Sequence, residues 1–124
     1  MKVAVPSKGE TLDSPVDDRF GRCSFLILVD SESMSFEAIK NPGLKESDAA
    51  GVQTSQVLIG RGVDASVVIN IGHNALVTLS GAGIDVYVGG AGTIRDAIVK
   101  LRKGELPSVE RPTVGFQEGL DEDK

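Results

Sequence analysis

The chain has 124 residues with 40% hydrophobic and 25% charged side chains, enough for one globular domain that buries roughly two-thirds of the surface its unfolded form would expose. The net charge of −5 and an aromatic share of 4% without Trp argue against nucleic acid, because both the phosphate attraction and the stacking platforms are missing. One cysteine rules out an intramolecular disulfide or a four-thiolate cage within a single chain, and no apolar run approaches the ~18 residues of a membrane span.

In chain order, KVAVP (2–6) alternates up to Pro6 and predicts the first strand, following Met1 without a signal-type apolar region, so a cytoplasmic protein is expected. Residues 7–23 carry Gly9, Pro15 and Gly21 without helical periodicity and predict a long functional-type loop. SFLILVD (24–30) is a continuous apolar run suited to a sheet interior, and 34–41 predicts a strand forming a hairpin with it. Ser47 or Asp48 is a candidate cap for a helix carrying Ala50, Val52, Val57 and Leu58 to a stop near Gly60 or Gly62.

VVIN (67–70) predicts the fourth strand, followed by the turn Ile71-Gly72-His73-Asn74 and a helix over 74–81. DVYV (85–88) predicts the fifth, followed by Gly89-Gly90-Ala91-Gly92-Thr93 and a helix over 93–103 capped by Thr93. Residues 107–124 are expected to be an irregular, acidic, disordered tail; Glu118, Asp121, Glu122, Asp123 and Lys124 hold −3 of the net charge.

The elements predict an α/β domain with a five-stranded mixed sheet of order 3-2-1-4-5, strand 2 antiparallel, and three helices in a three-layer arrangement. The carboxyl ends of strands 1, 4 and 5 then bring together Ser7 to Gly9, Gly72 to Asn74 and Gly89 to Thr93. Helix amino termini at such an edge direct N–H groups and positive dipole ends into a crevice, so an anion-binding face is expected there. The candidate binding residues are Lys8, Arg19, Arg22, Gly72, His73, Asn74, Gly90, Gly92 and Thr93.

His73, the only histidine, and Cys23, the only thiol, are the candidate metal ligands, with Arg19 and Arg22 close enough in sequence to favour a thiolate if they lie close in space. Each also has a plain reading, as a solvated turn residue and an inert half-buried thiol. Strand 1 is Val3-Ala4-Val5 and projects no carboxylate toward metal ions, and a single His without an orienting acid makes no triad, so no hydrolase or nuclease activity is expected.

KVAVPS (2–7), VDDRFGR (16–22), the Asn41-Pro42 pair, IGHNAL (71–76), AGIDVY (82–87), GTIRDAI (92–98) and GEL (104–106) together resemble the dinitrogenase iron-molybdenum cofactor-binding family over residues 1–106. The resemblance implies a ribonuclease H-like motif fold and non-catalytic binding or carriage of an anionic metal-sulfur cluster, such as iron-molybdenum cofactor or a precursor, held non-covalently. It also implies cofactor-assembly proteins as partners, with a monomer expected. Arg19 stands where the family often has His before Phe-Gly, His73 stands where it often has Pro, and the Ala50-Gly51 helix start lacks a His that some relatives carry. The alternatives from other classes are a small-anion or nucleotide sensor using the same crevice, and a docking module of a cofactor-assembly pathway.

Overall fold

A computed structural model describes residues 1–42 and 50–109. Its elements are β1 (Lys2–Ser7), a 3-10 turn (Phe20–Arg22), β2 (Phe25–Asp30), β3 (Phe36–Lys40), α1 (Ala50–Gly60), β4 (Ala65–Val68), α2 (His73–Gly81), β5 (Asp85–Val88) and α3 (Ile94–Arg102). The sheet order is β3-β2-β1-β4-β5, with β2 antiparallel to both neighbours and β1, β4 and β5 mutually parallel. This is the expected topology. The candidate caps Ser47 and Asp48 and the acidic residues 110–124 lie outside the described residues.

Strand alternation divides the core into two layers. Ala4, Leu26, Leu28, Val68 and Val86 face α1 and α2, where they meet Leu58, Ala75, Leu76 and Leu79. Val3, Val5, Ile27, Val29 and Val67 face α3, where they meet Ile94, Ala97 and Ile98. The loop after β1 closes that second layer by burying Leu12 and Val16, while Phe20 turns into the first.

Several boundaries differ from expectation by one or two residues: β3 covers 36–40 of the expected 34–41, and β4 is shifted to Ala65–Val68 from 67–70. The β4 shift follows because Ala65 and Ser66 are small enough for the crowded sheet centre and the Ser66 hydroxyl donates to Ala4 O at 3.0 Å. Residues 107–109 follow the free edge of β5: Val88 N donates to Pro107 O and Val109 N to Val86 O. The loop over 8–23 is also more constrained than its composition indicates, with bridges Ser7 to Val16 and Pro15 to Thr93 pinning it to the sheet edge and to the start of α3.

Asn41 ties three segments together at the end of β3. Its Nδ2 donates to Gly21 O (3.1 Å) and Cys23 O (3.0 Å), and its Oδ1 accepts from Thr54 Oγ1 of α1 at 2.8 Å. Cys23 lies wholly in the core with its thiol directed at Phe20 O. Burial, reinforced by the nearby Asp17 charge, pushes this thiol's pKa up to about 12.

Asn41→Ala leaves two carbonyls and a hydroxyl short of their partners in the interior, so urea unfolding should show a loss of about 1–3 kcal/mol; an unchanged midpoint would show that water replaces the amide. Above about pH 8.5 an unfolded chain releases the Cys23 proton while the folded chain keeps it to about 12, so stability is lost as pH rises through that window. The loss should be steeper, by up to ~1.4 kcal/mol per pH unit, than in Cys23→Ala. Equal slopes in denaturant titrations from pH 9 to 11 would contradict the burial.

Candidate functional site

At the carboxyl ends of β1 and β4, on the face carrying α1 and α2, lies a crevice of about 640 Å³. Three segments wall it: residues 18–22, the amino-terminal turn of α1 at 50–52, and residues 70–75 leading from β4 into α2. Small residues let these segments meet. A Cβ on Gly21 would lie 2.6 Å from Gly51 N, and one on Gly51 would lie 3.2 Å from Ala75 Cβ. The Ser55 hydroxyl bridges the same seam by donating to Gly51 O at 2.7 Å, with Ala75 O at 3.4 Å.

Arg19, Arg22 and Asp18 are the charged residues of this wall. Arg19 is gripped from behind by Asp17, a residue buried to 1% exposure: Oδ1 accepts from Arg19 N (2.9 Å) and Nε (3.2 Å), and Oδ2 accepts from Nη2 (3.3 Å). That hydrogen bonding, followed by the attraction of the two charges, raises the Arg19 pKa above its ordinary value. Opposite, α2 begins at Gly72, an extended residue (φ −86°, ψ 173°) that offers no side-chain cap, and exposed His73 and Asn74 form the helix's first turn. The positive end of the α2 dipole thus lies in the crevice wall.

The structure brings together Arg19, Arg22, Gly72, His73 and Asn74 and separates the other candidates from them. The α3 terminus is closed by the protein itself. Thr93 N donates to Asp96 Oδ2, Ile94 N to Ser14 O, Arg95 N to Leu12 O and Asp96 N to Thr93 Oγ1. The Thr93 hydroxyl is consumed in this capping box, and the Asp96 carboxylate occupies the place expected for an anion. Gly92, at φ +102°, is needed for that turn, since a Cβ there would lie 2.9 Å from Asp96 Oδ2. Gly90 is a packing glycine, its virtual Cβ lying 2.5 Å from Val67 Cγ1.

Lys8 is exposed and lies outside the crevice wall, its amide donating to Pro15 O. Cys23 faces the core, so the expected stabilisation of its thiolate by Arg19 and Arg22 is overturned: desolvation and Asp17 favour the protonated thiol. In this arrangement it offers no sulfur to the crevice. Among the described residues no group of three or more His, Cys, Asp or Glu converges as a site for a bare metal ion. The role of Asp17 was missed in the sequence; its only trace there is an Asp two residues before an Arg, the spacing of a side-chain-to-backbone turn.

Comparison with known proteins places this geometry in a family. Residues 1–104 match the family described as dinitrogenase iron-molybdenum cofactor. An uncharacterized protein of Methanocaldococcus jannaschii is 31% identical over 113 residues, spanning 89% of this chain and 92% of that one. Among solved structures, the apo form of the orange protein from Desulfovibrio gigas superposes with a TM-score of 0.86 at 32% identity, covering 90% of this chain and 94% of its own. A Thermotoga protein described as belonging to the DUF35 family superposes with a TM-score of 0.78 at 36% identity, covering 95% of this chain and 98% of its own. Because the match takes in every strand, all three helices and each wall of the crevice, the chain belongs to the dinitrogenase iron-molybdenum cofactor family.

Proposed function

We propose that the protein binds and carries an anionic metal-sulfur cluster, an iron-molybdenum cofactor precursor or a related molybdenum or iron sulfide, without catalysing a reaction on it. The observation that carries this reading is the composition of the crevice wall: Arg19, Arg22 and an α2 terminus without a side-chain cap line one space, while Cys23, the chain's single thiol, is buried in the core. A bare metal ion needs several protein ligands, which are lacking among the described residues. A preformed cluster brings its own sulfides, so the protein has only to supply hydrogen-bond donors and positive potential, which Arg19, Arg22 and the first turn of α2 offer. His73, with its imidazole nitrogens, is the soft side chain among the described residues of the wall.

Membership of a family named for iron-molybdenum cofactor and likeness to an apo-form protein support the cargo class. The crevice volume lies within the roughly 300–1,000 Å³ of small-ligand sites. The site has little net charge: Arg19 and Arg22 are balanced by Asp18 at the wall and Asp17 behind it. Affinity therefore comes from short, directed hydrogen bonds and is modest, as suits a carrier that must release its load. We further propose that the protein acts as a monomer and hands its cargo to cofactor-assembly partners.

The test is anaerobic titration with tetrathiomolybdate and with extracted iron-molybdenum cofactor, followed by gel filtration. Colour should co-elute with the wild type and fall about tenfold or more in Arg19→Glu, which replaces a charge-assisted donor by a repelling carboxylate. Thr93→Ala should bind as the wild type does while losing about 1 kcal/mol of stability with its cap. Absence of co-eluting colour, or equal colour with Arg19→Glu and His73→Ala, would remove the cluster-binding reading. Equal affinity for molybdate or phosphate would favour a small-anion sensor instead.

A further inference from the structure

Asp17 is the one carboxylate in the loop that is withdrawn from solvent, and both of its oxygens are spent on Arg19. It is itself held rigidly: its amide donates to Pro6 O at 2.9 Å, and the neighbouring Val16 bridges to Ser7 and donates to Gly92 O. The grip takes Nε and Nη2 of the guanidinium, and among the described residues no acceptor engages Nη1. Arg19 nevertheless remains 59% exposed, so its charged head is anchored at one edge and open at the other. An unanchored arginine of that exposure would sample many rotamers and lose conformational entropy on meeting a ligand.

We propose that Asp17 is a positioning residue of the crevice, which never touches the ligand but fixes the guanidinium of Arg19 so that its open edge meets an anionic ligand. The inference rests on the anion-binding reading of the crevice and adds to it the source of its order. The Asp17 charge itself opposes an anion at the wall, so its contribution to binding is the order it imposes on Arg19.

The sign of one measurement separates positioning from simple electrostatics. Asp17→Asn keeps the size of the side chain and an oxygen for Arg19 N, but it sets an amide donor against a guanidinium donor and adds one unit of positive charge. Coulomb attraction alone predicts tighter binding of the tetrathiomolybdate dianion. Positioning predicts weaker binding, by about tenfold, with a backbone NMR spectrum that is unchanged outside residues 15–22. In an Arg19→Ala background the same change should have no weakening effect, because there is no side chain left to position. In the ligand-free wild type, the Arg19 Nε–H should show the ¹⁵N relaxation of an ordered group, and in Asp17→Asn that of a free side chain. Unchanged or tighter binding by Asp17→Asn, or equal losses with and without Arg19, overturns the inference while leaving the site intact. A wild type that binds no tetrathiomolybdate overturns the functional reading, and the positioning role falls with it.

Discussion

The close approach of three backbones at Gly21, Gly51 and Ala75 is the constraint on which the crevice depends. The 3-10 turn at Phe20–Arg22 lies directly against the first turn of α1, and no side chain fits between them. Asn41 holds this contact by capping carbonyls on the turn and accepting from Thr54 on the helix. With the turn fixed, Arg19 just before it and Arg22 at its end line the same crevice as the start of α2. A side chain at Gly21 would press on the α1 backbone and change the spacing of both cations from α2.

Parallel strands β4 and β5 each lead into a helix, but the two helix starts have opposite fates. The loop over 12–16 folds across α3 and supplies carbonyls to its first amides, and Thr93 with Asp96 completes the closure. This half of the sheet edge serves stability: it locks Leu12 and Val16 into the core and makes Gly92 obligatory. The α2 start has Gly72 in the capping position and no equivalent side chain, and the two arginines stand opposite it. A single fold edge is thus divided between a structural half and a half suited to a ligand.

The strand order and all three helices were legible in the sequence because apolar alternation and glycine-bearing turns report the path of the backbone directly. The start of β4 was not, since Ala65 and Ser66 have no apolar signature and belong to the sheet through size and one hydroxyl bond. Gly90, Gly92 and Thr93 resembled an anion cradle because the same residues serve a turn, a close contact with Val67 and a capping box; the Thr93 to Asp96 spacing was the sign of the latter. Whether Cys23 turns to the crevice or the core depends on the folded surroundings, where its thiol meets Phe20 O and the amide of distant Asn41. Asp17 was obscured for the same reason, as burial is a property of the folded loop and not of its composition.

On the proposed reading the ligand lies between the 18–22 turn and the start of α2, held by directed donors. Amide chemical-shift mapping during anaerobic addition of tetrathiomolybdate tests it most directly. Saturable shifts should concentrate at residues 18–22 and 71–75, and the amides of 93–96, already engaged within the protein, should stay in place. Shifts centred on 90–96, or none that saturate, would contradict the account.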